Sequence, residues 1–360
     1  MTVTRNDVEQ ALKTYLDPYL ATDVVTAGMV KAVRVDASGI AVDIEAGFPL
    51  ARYGATLQAR LQEALAGLGL PCALTLDSKV VSHAVQKGTK PLSGVRNTIA
   101  VASGKGGVGK STTAVNLALA LRDEGATVGL LDADIYGPSQ PRMLGALGKP
   151  ESRDGKSMEP KISHGIQSIS IGHLVEEDTP MIWRGPMATS ALEQLLRETN
   201  WQDLDYLIID LPPGTGDIQL TLCQRIPVSG ALIVTTPQDI ALLDARKGLK
   251  MFEKVAVPVI GIIENMSLHT CSKCGHVEHI FGSGGGASMA RQYGVELLGE
   301  LPLDIRIREG VDAGQPTLVT HPDAPFSNVY RDIARKVAAR LALRAKDYSG
   351  KFPNIVIQNS

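Results

Sequence analysis

The chain has 360 residues, 44% of them hydrophobic and 21% charged, with a formal net charge of −2. That length predicts two domains, or one large α/β domain with an appendage, and the charge excludes a strongly basic, general nucleic-acid binder. No apolar run approaches the ~18 residues of a membrane-spanning helix, the N-terminus lacks a signal-peptide pattern, and four cysteines in so long a chain do not make a disulfide framework. The expected setting is a reducing cytoplasm, with no membrane partner.

Residues 7–17 place Val8, Ala11, Leu12, Tyr15 and Leu16 on one helical face, with Asn6 and Glu9 at capping-box separation and Asp17-Pro18 as the stop. Val33 and Val35 alternate with Lys31 and Arg34, Asp36-Ala-Ser-Gly39 turns the chain, and Ile40, Val42 and Ile44 alternate with Ala41, Asp43 and Glu45. That pattern predicts a hairpin. A second amphipathic helix carries Leu57, Leu61, Ala64, Leu65 and Leu68, and a strand near Ala73 to Leu76 closes an α-β-β-α-β module spanning residues 1–81. Cys72 reads as a small buried hydrophobe. Ser82 to Asn97 is polar, contains Lys87, Gly88, Lys90, Pro91 and Gly94, and reads as a linker over residues 82–97.

From Thr98 strand and helix patterns alternate, which predicts an α/β domain over residues 98–345 with a doubly wound, mostly parallel sheet. Ile99 to Ala102 is its first strand, followed by Gly104-Lys-Gly-Gly-Val-Gly-Lys-Ser111 and an Ala- and Leu-rich helix. Strand, glycine-rich loop and helix are the context of a Walker A phosphate loop. Glycines let consecutive N–H groups turn towards one anion, Lys110 reaches the β- and γ-phosphates, and the Ser111 hydroxyl serves Mg²⁺. Lys105 is a cation that an ordinary Walker A does not require. A second buried strand, Val128 to Leu131, ends in Asp132-Ala-Asp-Ile-Tyr-Gly-Pro-Ser139. Asp134 is the candidate for organising Mg²⁺ or the attacking water, with Asp132 a second carboxylate beside it. Tyr206-Leu-Ile-Ile-Asp210 matches a Walker B strand, and the Pro212-Pro-Gly214 turn offers a Gly214 N–H to a γ-phosphate. Asn265, after the strand Val259 to Glu264, presents an amide suited to the edge of adenine. A last strand lies near Leu297 to Leu301, the final helix runs from Ser327 to Ala345, and the tail, residues 346–360, has no strong pattern.

Cys271-Ser-Lys-Cys274 is the remaining signal. Its place after a late strand differs from a thioredoxin-like motif, and Lys273 between the thiols favours thiolates. His276 and His279 stand close enough in sequence to complete a zinc set within one chain. The residues alone leave a cluster and zinc equally open.

The runs Gly104 to Ser111, Asp132 to Ser139, Asp210-Leu-Pro-Pro-Gly-Thr-Gly-Asp217, and Asn265-Met-Ser through Cys271-x-x-Cys274 together resemble the Mrp/ApbC family of iron–sulfur cluster carriers, over nearly the whole chain. The placement of Lys105 is similar to the deviant Walker A of dimerising P-loop ATPases of the MinD, ParA and nitrogenase iron-protein group. The resemblance implies a P-loop NTPase fold and a cytoplasmic homodimer that binds ATP and Mg²⁺ and hydrolyses ATP slowly. The nucleotide would be held by Gly104, Lys105, Gly106, Gly107, Val108, Gly109, Lys110, Ser111 and Thr112, with Asp210, Gly214 and Asn265. Lys105 (reaching across the dimer), Lys110 and Asp134 would be the catalytic residues. It further implies a 4Fe-4S cluster bridging two subunits through Cys271 and Cys274, received from cluster assembly machinery and passed to apo iron–sulfur proteins. The N-terminal module resembles the small domain found with iron–sulfur assembly proteins. It carries Gly47-Phe-Pro-Leu50 where many relatives have a cysteine, so no metal role is expected of it. The alternative from another class is a ParA- or MinD-like positioning ATPase with zinc on the cysteine pair.

Overall fold

The computed structural model describes residues 3–86, 88–174 and 185–346. Lys87 of the linker and the tail beyond residue 346 lie outside them.

The N-terminal module has the expected order: α1 (Arg5–Lys13), β1 (Val30–Asp36), β2 (Gly39–Ala46), α2 (Gly54–Ala66) and β3 (Cys72–Ser78). β1 and β2 form the antiparallel hairpin and β3 adds parallel to β2. The first helix starts and stops earlier than its apolar pattern suggested. Thr4, not Asn6, makes the capping box, its hydroxyl accepting the Asp7 N–H while Asp7 accepts the Thr4 N–H. At the other end, α1 stops at Lys13 instead of running to Asp17. Asp17 is buried there and accepts the N–H groups of Tyr19 and Leu20 (2.8 and 2.9 Å), an Asx turn that competes with the helix. Cys72 is half-buried on β3 rather than enclosed.

The second domain follows as β4 (Val95–Ala102), α3 (Lys110–Asp123), β5 (Val128–Asp132), α4 (Gln140–Met143), β6 (Lys161–Ser163), β7 (Ile166–Ser170), α5 (Gly185–Glu198), β8 (Leu204–Asp210), α6 (Asp217–Arg225), β9 (Gly230–Thr235), α7 (Asp239–Lys254), β10 (Val259–Glu264), β11 (His269–Thr270), β12 (Val277–Glu278), α8 (Gly285–Tyr293), β13 (Glu296–Glu300), α9 (Ile305–Asp312), α10 (Thr317–Thr320) and α11 (Pro325–Ala342). Eight strands form one sheet in the order β13-β10-β9-β4-β8-β5-β7-β6, parallel throughout except for the edge strand β6. Central strands β5, β8 and β9 are buried on both faces along most of their length, so they read as mainly apolar runs. The hairpin β6–β7 lies in a stretch without strong periodicity and was not foreseen.

The linker is not slack. Strand β4 begins at Val95, and before it His83 and Gln86 are buried. His83 meets the Asn97 Oδ1 through both its N–H and its ring, while Gln86 donates to the carbonyls of Cys223 and Ile226 and accepts the Val228 N–H. The module packs on α3 and α11, and its apolar residues run on without a break into theirs. The seam is polar at its edge: Arg335 of α11 donates to Glu124 (2.8 Å) and to the Tyr19 hydroxyl (3.1 Å), with Tyr53 also within cation–π reach. Tyr53 in turn donates to buried Asp17 (2.6 Å).

Candidate nucleotide site and cysteine hairpin

The carboxyl ends of β4, β5 and β8 converge on the glycine loop, as crevices of doubly wound sheets do. Gly109 is the N-cap of α3 at φ 82°, a left-handed conformation that only glycine enters freely, and a Cβ there would collide with the Asn265 amide. Lys110 is the first helical residue. Its buried ammonium pairs with Asp210 and lies 3.8 Å from Asp134 and 3.1 Å from the Ser111 hydroxyl. Ser103, Lys105, Gly106, Gly107, Gly109, Lys110, Ser111, Thr112 and Asp134 line one cavity of about 220 Å³, together with Ser139, Met143 and Pro213. Of the other expected residues, Gly104 sits between Ser103 and Lys105 at the neck of the loop, and Val108 is buried beneath it. Lys105 is half-buried at the cavity's edge and makes no ion pair among the described residues.

The carboxylates are held by a network that the sequence did not reveal. Asp132 is fully buried and accepts the N–H groups of Asp134, Ser139 and Gln140 and the Ser170 hydroxyl, all within 3.1 Å. Burial, and then the Asp210 carboxylate beside it, pushes the Asp132 carboxyl up to about 7, against the pull of those donors. Burial also raises Asp134, with Lys110 opposing the rise. Gln140 was missed. Its side-chain N–H group donates to Asp210 (2.8 Å) and to the Ser111 carbonyl (3.0 Å), bracing α4 across the β8 end and the phosphate loop.

Two of the expected nucleotide contacts are engaged within the protein. The Gly214 N–H, read as a γ-phosphate sensor, donates to the Ser103 carbonyl (2.9 Å), tying the turn after β8 to the glycine loop. Asn265, read as an adenine contact, donates from Nδ2 to the Val108 carbonyl (2.9 Å) and lies outside the cavity lining. Both link the loop to a strand end through its backbone.

Cys271 and Cys274 share a turn between β11 and β12, closed by Cys271 N–H to the His276 carbonyl and Gly275 N–H to the Cys271 carbonyl, each 2.9 Å. Cys271 is half-buried and Cys274 exposed. The amides of Cys274 and Lys273 hydrogen-bond the Cys271 sulfur and hold its thiol below the usual range. The other two thiols differ, and burial pushes Cys223 up to about 12. Of the histidines, His276 faces Glu278 at 3.8 Å and His279 is tied by Nδ1 to the Ser267 carbonyl. Among the described residues no group of three or more His, Cys, Asp or Glu is arranged to hold a metal ion, so the one-chain zinc set is not assembled. No described helix is long and apolar enough to cross a membrane.

A doubly wound parallel sheet, a complete phosphate loop and a Walker B carboxylate on its lysine define a P-loop NTPase. A model of the ParA group described as NUBPL iron-transfer P-loop NTPase matches residues 94–338, and one described as iron-sulfur cluster assembly protein matches residues 5–71. The chain belongs to the iron-transfer P-loop NTPase family, as the sequence motifs had indicated. It is 51% identical over 347 residues to the iron-sulfur cluster carrier protein of Haemophilus influenzae, covering 94% of this chain and 92% of that one. It is 62% identical over 262 residues to the carrier protein of Salmonella typhimurium, covering 72% and 71%. Among solved structures it is similar to a nucleotide-binding protein in complex with ADP from Archaeoglobus fulgidus, at 36% identity and a TM-score of 0.56, covering 65% of this chain and 91% of that one.

Proposed function

We propose that this protein is an ATP-dependent carrier that holds a labile 4Fe-4S cluster between two copies of the chain and passes it to apo iron–sulfur proteins. The observation that carries the reading is the cysteine turn. One chain offers two accessible thiols and, among the described residues, no third ligand grouped with them, whereas a four-iron cluster takes four thiolates. Two copies supply four. Val277 and Ile280 on the same hairpin are 50% and 52% exposed, an apolar surround that a second copy would cover.

The phosphate loop fits ATP, because its backbone opens onto a cavity walled by Lys105, Lys110 and Ser111. Lys110 stabilises charge on the transferring phosphoryl group, Asp134 holds the attacking water, and Lys105 reaches the nucleotide of the second copy. Ser111 and Asp210 are the residues that would hold magnesium, which supplies charge neutralisation across the β- and γ-phosphates. The cluster is cargo, received from assembly machinery.

Anaerobic reconstitution followed by transfer to a generic apoprotein, with and without MgATP, tests the reading. A chromophore that is lost in Cys271→Ser or Cys274→Ser, and kept in Cys72→Ser and Cys223→Ser, is expected. One zinc per monomer, released on changing His276 and His279, would replace this reading with the zinc-bearing positioning ATPase.

A further inference from the structure

The nucleotide loop and the cysteine turn stand at the two ends of one short run of chain. Strand β10 ends at Glu264, and the next residue, Asn265, donates from its side chain to Val108 and crowds Gly109. Met266 then takes φ 57°, a left-handed conformation that costs a non-glycine residue energy and is kept only where the surroundings fix it. Ser267 is buried, its N–H and hydroxyl both donating to the Leu301 carbonyl after β13. Its own carbonyl accepts His279 Nδ1–H at 2.6 Å. His269, at the opposite foot of the hairpin, donates from Nδ1 to the Leu303 carbonyl (3.0 Å). Most of the hairpin beyond these feet is solvent-facing, and the two histidines attach its feet to the body through their side chains.

We infer that Asn265–Ser267 is a strut coupling the phosphate loop to the cysteine turn, with His279 the positioning residue that passes its position to Cys271 and Cys274. A shift of the glycine loop on nucleotide binding moves Asn265 through Val108, and the pinned turn at Met266 leaves little slack before Ser267. His279 then moves with the Ser267 carbonyl, changing how the turn presents its thiols. The inference deepens the carrier reading by giving nucleotide a route to the cargo ligands.

The test uses the full-length, metal-free, reduced protein. Cys271 and Cys274 are pulse-labelled with a maleimide and quantified by mass spectrometry, without nucleotide and at saturating ADP or a non-hydrolysable ATP analogue. Wild type is expected to change its labelling rate about five-fold or more with nucleotide, the lower end of ordinary coupling between two sites. His279→Phe, which keeps a ring but no donor, should reduce the response to less than about two-fold, and His279→Gln, which keeps an N–H, should restore it. A wild-type rate indifferent to nucleotide, or a full response in His279→Phe, would overturn the inference. So would protection that tracks the dimer fraction alone by light scattering. Because no cluster is present, failure of the carrier reading shows instead as an absent chromophore on reconstitution, and the two outcomes stay separable.

Discussion

Lys110 is buried with two carboxylates around it, so its charge is already committed to this pocket before any phosphate arrives. Lys110→Ala is therefore expected to reduce steady-state ATP hydrolysis by about a hundred-fold or more, on the scale of losing one preorganised charge-stabilising group; unchanged turnover would refute the assigned site. Gln140 braces Asp210 and the Ser111 carbonyl, and Gln140→Leu leaves both without that donor. Hydrolysis should fall with nucleotide affinity largely kept, measured as kcat against KM. Asp132 makes a pH prediction. Unfolded, it titrates near about 3.9; folded, it keeps its proton up to about 7. Between those values only the unfolded chain releases the proton, so this group lowers stability as pH rises through the window and adds no further slope above it. Asp132→Asn removes that slope, although it also disrupts several donors and so lowers stability overall. Urea unfolding of both proteins across the window checks this, and parallel curves would refute it. At this scale the glycine loop was legible, because a left-handed N-cap and a close approach demand glycine at fixed spacing. Gln140 was not, since a glutamine on a one-turn helix has no pattern, and its role exists only once α4 lies over the end of β8.

Strands and long helices were legible from pattern, with β8 and β9 found to within a residue or two because both faces are buried along mainly apolar runs, and the start of β8 was missed where Asp205 breaks its run. The boundaries that failed were those set by side-chain hydrogen bonds: Thr4 outcompetes Asn6 as a cap, and Asp17 folds its own turn. The linker shows the same limit. Its polar residues read as a linker, yet Gln86 satisfies three backbone groups before β9. A chain starting at residue 82 is expected to keep nucleotide binding and a cooperative melt. One starting at residue 95 loses the Gln86 bonds, at about 1–3 kcal/mol for each buried group left unsatisfied, and should melt lower. Equal melting temperatures for the two truncations would refute that difference. Both truncations also uncover the apolar face of α11 that the module occupies, and a soluble, folded truncation from 82 that no longer binds nucleotide would sink the assignment of the site to the second domain.

For the whole molecule, a bridging cluster predicts iron and sulfide at about four each per dimer, and their release when the dimer is dissociated by dilution; metal retained on monomers would argue against it. The sheet sets the distances in such an assembly. Phosphate loop and cysteine turn both leave the carboxyl ends of strands, whereas the module is seated by Glu124, Arg335 and Ala342, around the amino ends, where Arg344 reaches the Val259 carbonyl at the start of β10. A central strand such as β8 has seven residues, a span of about 23 Å at the usual rise. On the proposed carrier reading, a client that grips the module would need more than a small contact patch to touch the thiols of the same subunit. It must be broad enough to straddle the sheet, or it must be held by one subunit while being served at a seam made by both, much as a workpiece is clamped at one end and tooled at the other.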